Sequence, residues 1–389
     1  MAERVRIERL GARADGVAHI EGHAVYVPHT LPGETVAVER DGSRARLVEL
    51  EEASPDRVEP FCPYFLACGG CLTQHVAAPT YAAWKRGILV AAVEKAGLET
   101  AVDPLVDAHG AGRRRITLHA RFREGKTRVG YMAIRSHELV EIAFCPIAEP
   151  ALRNAPRAAL ALAESLRSAS KPLDLQITAT ETGLDVDIRG HGQPSERERQ
   201  ALIATAGEQD LARVSIHGER LIERRPPLLS MGRAAVAPPP GGFLQATRAG
   251  EEALASLVLE ACAGVKRVAD LFAGCGPFAL RLAEAREVHA VDADAGSLAA
   301  LDKAARGTPG LRPVATEARD LFRRPLLAPE LARFDAVVLD PPRAGAEAQA
   351  KQLAMSSVKT VVSVSCDAGT FVRDAAVLVR AGYRLQRVT

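Results

Sequence analysis

The C-terminal part of the chain alternates short apolar runs with helical patterns, and this alternation restricts the fold more than any other feature. The apolar runs are residues 268–272, 288–291, 336–339 and 361–364. The predicted helices are residues 278–285, 297–305 and 371–379. Such runs are typical of strands that are buried on both faces of a parallel sheet. The alternation predicts a doubly wound α/β domain, in which ligands bind at the carboxyl ends of the strands.

A glycine-rich turn, with the sequence DLFAGCG, follows the first of these strands at residues 270–276. Gly274 and Gly276 allow a tight turn and a close approach of the backbone to a ligand. The next strand ends at Asp292, whose carboxylate can accept hydrogen bonds from both hydroxyls of a ribose. The third glycine of the dinucleotide fingerprint is absent, which favours S-adenosylmethionine over NAD. A plain strand-to-helix turn is the alternative interpretation of the two glycines.

Two further motifs end neighbouring strands. Asp340-Pro341-Pro342-Arg343 follows the run at 336–339, where this fold places the reactive end of its ligand, so Asp340 is a candidate catalytic residue. Cys366 follows the run at 361–364 and is expected on the same rim. A cysteine there is a candidate nucleophile, although a free cysteine is more often a small buried apolar residue.

Three cysteines lie close together near the start of the middle region. Cys62, Cys68 and Cys71 are separated by five and then two residues, and Cys145 follows much later. Closely spaced thiols among glycines suit an iron–sulfur cluster, whereas zinc normally uses paired Cys-x-x-Cys or Cys/His ligands. Zinc and free buried thiols remain the alternatives.

The remaining patterns divide the chain into three domains. Residues 5–50 alternate polar and apolar residues between turn signals, which predicts a small all-β barrel that is either oligonucleotide-binding or purely structural. The following cysteine-bearing region predicts a central α+β domain, which ends at the proline- and glycine-rich run 237–242. We therefore predict domains at residues 1–57, 58–240 and 241–389.

Composition sets only broad limits. The net charge of +2 neither favours nor excludes a nucleic-acid partner, so a basic surface would have to be local. No stretch reaches about 18 uncharged apolar residues, and the N-terminus lacks the apolar core of a signal peptide. We expect a cytoplasmic monomer without a membrane segment.

Taken together, these motifs resemble the RNA uridine C5-methyltransferases, specifically the branch that methylates 23S ribosomal RNA. The segments 16–18, 31–34 and 54–58 are similar to the family's TRAM domain, an OB-like RNA-binding barrel. Cys62, Cys68, Cys71 and Cys145 match the ligands of its [4Fe-4S] cluster. The resemblance implies a Rossmann-like class I methyltransferase domain preceded by the TRAM barrel and a central α+β iron–sulfur domain.

The same resemblance assigns the site residues. Cys366 corresponds to the nucleophile that adds to carbon 6 of uridine, which makes carbon 5 nucleophilic enough to accept the methyl group. The residues that the family uses to bind S-adenosylmethionine correspond to Gln245, Phe272, Gly274, Gly276, Asp292, Asp320 and Asp340.

Other interpretations stay open. The family carries its proton-abstracting glutamate on a final strand beyond one like residues 383–389, so the resemblance implies an incomplete C-terminus and leaves the base unassigned. A catalytically impaired RNA-binding protein and a tRNA uridine C5-methyltransferase are therefore alternatives. An enzyme that methylates amino groups is disfavoured, because such enzymes usually carry an aromatic residue where this chain has Arg343.

One local basic surface is predicted. The strip from Arg113 to Arg135 carries many arginines and one lysine but a single acid, Glu124. We expect this strip, including Arg114 and Arg115, to contact RNA phosphates.

Overall fold

The computed structural model describes residues 2–167 and 171–389, and its N-terminal part forms one β-sheet. The strands are β1 (Glu3–Arg6), β2 (Arg9–Leu10), β3 (Gly16–Ile20), β4 (His23–Val27), β5 (Thr35–Asp41) and β6 (Arg44–Glu52). Their order is β1-β5-β6-β4-β3-β2. Alternate residues such as Val25, Val27, Val36 and Val38 enter one apolar core. The period-2 pattern in the sequence predicts this arrangement, because successive strand residues point to opposite faces.

The middle part of the chain is built on a second sheet with the order β13-β12-β11-β10-β7-β8-β9. Its helices are α1 (Ala78–Lys95), α2 (Ala155–Ser165) and α3 (Glu196–Glu208). Its strands are β7 (Arg115–Arg123), β8 (Lys126–Met132), β9 (Leu139–Glu141), β10 (Leu173–Thr180), β11 (Gly183–Arg189), β12 (Arg213–Ile216) and β13 (Glu219–Glu223). The apolar side of α2, including Leu162, packs against this sheet and shares one apolar core with its strands.

The last part of the chain begins with the hairpin β14 (Leu229–Met231) and β15 (Ala234–Val236). Its later strands are β16 (Arg267–Leu271), β17 (Glu287–Asp292), β18 (Val314–Ala318), β19 (Ala336–Leu339) and β20 (Thr360–Ser363). Its helices are α4 (Arg248–Ala261), α5 (Ala279–Leu282), α6 (Ala295–Gly307), α7 (Ala328–Leu331), α8 (Glu347–Ala354) and α9 (Ala368–Arg380). The order β18-β17-β16-β19-β20 is parallel throughout, which confirms the predicted doubly wound sheet.

Two features of this last part differ from the sequence patterns. The edge strand β18 was not predicted, because most of its residues are exposed and it lacks an apolar run. The expected strand at residues 383–389 is wrong: this segment does not join the sheet, and only Val388 forms a bridge, with Val102. Arg387 instead pairs with Asp103 at 2.6 Å.

The hairpin β14–β15 lies before residue 241, where the last domain was predicted to begin. Its buried residues Leu229, Met231 and Val236 pack with Leu280 and Ala304 of the last part. Within residues 2–167 and 171–389, no helix combines the length and the apolar character needed to cross a membrane.

The core of the middle part predicts a contrast between two leucines of one helix. Leu162 is fully buried, whereas Leu160 is 38% exposed. Leu162→Ala should lower the free energy of unfolding by about 2 to 5 kcal/mol, since it leaves a cavity in a close-packed core. Leu160→Ala should cost well under that amount, and thermal and urea unfolding of both variants would measure the contrast. Equal losses would contradict this packing.

Candidate active site

A small cavity lies at the carboxyl ends of β16 and β19, and we call it the cofactor cavity. Its volume is about 40 Å³. Four of the residues singled out in the sequence line it together: Gln245, Phe272, Gly274 and Asp340. Its lining also includes Cys275 of the glycine-rich turn, together with Met231 and Glu251, which no sequence pattern identified.

The glycine-rich turn forms one wall of this cavity. Phe272 has a φ of 63° and Gly274 a φ of 53°, so the chain turns sharply as it leaves β16. The amide of Gly274 donates a hydrogen bond to the Asp292 carboxylate at 2.8 Å. Gly276 is also required for packing, because a Cβ there would lie 2.7 Å from Leu301 Cδ1. This glycine therefore allows α6 to pack closely against the turn.

Asp340 lines the cavity, and a second acid, Asp270, lies near the end of β16. Burial raises the pKa of Asp340 to about 6, and a hydrogen bond from Gln245 Nε2 to its Oδ2 at 3.2 Å partly offsets that effect. Asp270 is completely buried. Burial, and then the neighbouring charge of Asp340, raise the pKa of Asp270 well above its ordinary value. A positively charged ligand here would be attracted by the ionised form of Asp340.

Asp320 and Cys366 lie outside the lining of the cofactor cavity. Asp320 follows β18, and its carboxylate accepts a hydrogen bond from the amide of Phe322 at 3.0 Å. Cys366 is exposed just beyond β20. The next residue, Asp367, caps α9 by accepting a hydrogen bond from the Thr370 amide at 3.0 Å. Cys366 therefore sits in an accessible loop immediately before a helix, as expected for a strand-to-helix rim residue.

A second and larger cavity, which we call the cysteine cavity, has a volume of about 620 Å³. Cys62, Cys68, Cys71 and Cys145 all line it. Burial raises the pKa values of Cys68 and Cys71, and the other thiols of the group raise them further. In the described ranges, no group of three or more His, Cys, Asp or Glu residues is arranged to hold a metal ion.

The two cavities share one wall. Phe243, Leu244 and Gln245 line both of them. Phe243 is 73% exposed, while Leu244 is buried. The segment 242–246 therefore separates the cysteine cavity from the cofactor cavity.

The predicted RNA-contacting strip is partly wrong. Arg114 is 2% exposed, and the Arg115 guanidinium is occupied by Thr178 Oγ1 at 2.8 Å and by the carbonyl of Gly242. Arg128 and Arg135 are exposed but paired, with Glu141 and with Asp15 respectively. Arg113, Arg123 and Lys126 remain exposed. The sequence pattern could not distinguish these cases, because the partners of the buried arginines lie far away in the chain.

Known proteins resemble this chain along nearly all of its length. The family model of the TRAM domain matches residues 2–39. An uncharacterized RNA methyltransferase of Rhizobium meliloti (strain 1021) is 45% identical over 99% of this chain and 94% of its own length. The 23S rRNA (uracil(1939)-C(5))-methyltransferase RlmD of Chromohalobacter salexigens is 34% identical over 99% of this chain and 85% of its own length. The chain belongs to the RNA uracil C5-methyltransferase family.

The architecture of this uracil C5-methyltransferase also has a close counterpart among solved structures. The tRNA (uracil-54, C5)-methyltransferase of Pyrococcus abyssi, in complex with S-adenosyl-L-homocysteine, matches it with a TM-score of 0.74. The match covers 96% of this chain and 92% of that chain, at 22% identity. The fold of this family member is therefore a methyltransferase fold with a TRAM domain at its N-terminus.

The raised pKa of Asp340 predicts a pH dependence of stability in this methyltransferase. The native state binds a proton more tightly than the unfolded chain, so the contribution of Asp340 to stability falls as pH rises from about 3.8 to about 6. The interval between these pKa values corresponds to about 3 kcal/mol. Urea unfolding at several pH values should therefore show wild type losing stability relative to Asp340→Asn across this window.

Asp335 provides a control of opposite sign. Hydrogen bonds from the backbone amides of Arg267 and Lys266 lower its pKa, so wild type should gain stability relative to Asp335→Asn as the pH rises. Parallel curves for wild type and Asp340→Asn would contradict the raised pKa.

Proposed function

We propose that this methyltransferase transfers the methyl group of S-adenosylmethionine to carbon 5 of a uridine in RNA, with 23S ribosomal RNA as the preferred substrate. The observation that carries the proposal is that the carboxyl ends of β19 and β20 lie side by side. β19 and β20 are neighbours, and the amide of Val364 donates a hydrogen bond to the Leu339 carbonyl at 2.7 Å. Asp340 and Cys366 therefore leave the sheet on the same rim.

The cofactor would occupy the cofactor cavity and the adjoining strand ends. We assign it to Gln245, Phe272, Gly274, Gly276, Asp292, Asp320 and Asp340. Asp292 lies at the end of β17, where its carboxylate can accept hydrogen bonds from ribose hydroxyls in addition to the amide of Gly274. Asp340 and Gln245 would face the methionine part, and the ionised carboxylate would favour the positive sulfonium.

The reaction follows from the position of Cys366. Its thiolate adds to carbon 6 of the uracil ring, and the electron pair of the carbon 5–carbon 6 double bond moves toward the carbonyl at carbon 4. The resulting enolate attacks the methyl group from carbon 5, and the sulfonium leaves as neutral S-adenosylhomocysteine. A base then removes the proton on carbon 5, the thiolate leaves carbon 6, and the double bond is restored.

The preference for ribosomal RNA rests on similarity along the whole chain. The 23S rRNA methyltransferase of Chromohalobacter salexigens covers the TRAM domain, the cysteine-bearing part and the catalytic part together. We assign RNA binding to the N-terminal sheet, as an OB-like TRAM barrel, and to the exposed basic residues near the tip of the β7–β8 hairpin, Arg123 and Lys126.

We assign a [4Fe-4S] cluster to the cysteine cavity. Cys62, Cys68, Cys71 and Cys145 supply thiol ligands, and no His, Asp or Glu lines the described wall of this cavity. This donor set fits an iron–sulfur cluster, which is larger than a single metal ion and needs ligands that stand further apart. When bound, the cluster would cross-link the loop at 62–71 to Cys145.

The nucleophile can be tested with RNA that contains 5-fluorouridine. Fluorine at carbon 5 cannot be removed as a proton is, so the adduct should persist after methyl transfer. Wild type with S-adenosylmethionine should form an RNA complex that survives denaturing gels, and Cys366→Ala should form none. Cys262→Ala is the control, since Cys262 is buried at the end of α4, and it should retain the complex. An adduct formed by Cys366→Ala would exclude Cys366 as the nucleophile.

The cluster can be tested independently of activity. Anaerobically purified protein should be brown and contain about four irons with matching sulfide. Cys68→Ala should lose most of the iron, while Cys262→Ala should keep it. Colourless protein with one bound zinc would contradict the proposal.

A further inference from the structure

Arg114 is the largest fully buried side chain among the described residues, and it belongs to the middle part of the chain rather than to the catalytic sheet. A buried guanidinium is tolerated only when its donors are paired. Its Nη2 contacts Glu251 Oε2 at 2.5 Å, and its Nε donates to the carbonyl of Gln245 at 3.0 Å. Both partners line the cofactor cavity.

Glu251 extends this pairing to the glycine-rich turn. It lies in the first turn of α4 and is 1% exposed. Its second oxygen accepts a hydrogen bond from Arg281 Nη1 at 3.0 Å. Arg281 Nη1 also donates to the carbonyl of Pro277 at 2.7 Å. One carboxylate therefore connects an arginine of the middle part to the end of the turn that forms the cavity wall.

Arg114 and Arg115 also bind the backbone of segment 242–246, the wall that the two cavities share. The amide of Arg114 donates to the Ala246 carbonyl at 3.0 Å, and the Arg115 guanidinium binds the Gly242 carbonyl. The segment 242–246 is thus fixed at both ends to the start of β7. Between these ends, the Gln245 side chain reaches Asp340.

We propose that Arg114 is a positioning residue for the cofactor. It completes the cofactor cavity from outside the catalytic domain, because it holds the backbone at Gln245 and orients Glu251 against the glycine-rich turn. A preformed cavity binds its ligand more tightly than one that must be ordered on binding. The inference rests on the proposed function, in which this cavity binds S-adenosylmethionine.

The test compares Arg114→Lys with a matched variant, Arg213→Lys. Lysine keeps the charge at position 114 but cannot contact Gln245 and Glu251 together in the geometry of the guanidinium. Arg213 is also buried and forms two hydrogen bonds with Asp185, at 2.8 and 2.7 Å, but it does not line the cofactor cavity. Isothermal titration with S-adenosylmethionine and with S-adenosylhomocysteine gives the Kd values, and thermal unfolding gives the loss of stability.

Arg114→Lys should raise both Kd values on the order of tenfold, equivalent to about 1.4 kcal/mol. Arg213→Lys should lower the Tm similarly but leave both Kd values within about twofold of wild type. In turnover assays, Arg114→Lys should raise the KM for S-adenosylmethionine more than it lowers kcat. An unchanged Kd in Arg114→Lys, or equal changes in both variants, would overturn the positioning role.

Two further outcomes are distinguishable. If the wild-type protein does not bind S-adenosylmethionine, the proposed function is wrong. If only the effect of Arg114→Lys is missing, the positioning role alone is wrong. If Arg114→Lys does not fold, Glu251→Gln decides, since it keeps the size of the side chain but removes the charge that pairs with Arg114. Weaker binding of both ligands by Glu251→Gln would support the positioning role of the pair, and wild-type affinity would overturn it.

Discussion

The buried pairing of Arg114 with Glu251 is the interaction on which the rest of the active site depends. Removing a guanidinium and a carboxylate from water is costly, and it is offset only when each finds its full set of partners. Those partners belong to two different parts of the chain: β7 begins beside Arg114, and α4 carries Glu251 in its first turn. The pairing therefore fixes the middle sheet against the catalytic domain. The wall of the cofactor cavity at Glu251 forms where these two parts of the chain meet.

The segment at 242–246, which this contact holds in place, lies between the two cavities. Its residues separate four thiols on one side from Asp340 and the glycine-rich turn on the other. Arg115 binds the carbonyl of Gly242 at one end of the segment, and the amide of Arg114 binds the carbonyl of Ala246 at the other. Only this one backbone segment therefore lies between the cysteine cavity and the cofactor cavity.

The acids of the site are arranged so that they cannot all be ionised at low cost. Asp270 is buried without compensating charge, and Asp340 lies near enough to raise its pKa further. The two oxygens of Asp292 accept hydrogen bonds from the amides of Gly274 and Asp294, each at 2.8 Å. The raised pKa of Asp270 favours its neutral form, so the ionised carboxylate of Asp340 supplies the negative charge at the cavity wall that would attract a sulfonium.

The sequence by itself determined the parallel sheet, the sharp turn at Gly274 and the rim that carries Asp340 and Cys366, because apolar runs and glycine turns are local features and parallel strand ends meet at one edge. It could not predict the exposed edge strand β18, which lacks an apolar run. Only the tertiary structure decided that Arg114 is buried in the core of the site, since its partner Glu251 lies 137 residues away and no local pattern encodes such a pair. Burial of a charge depends on which distant groups surround it.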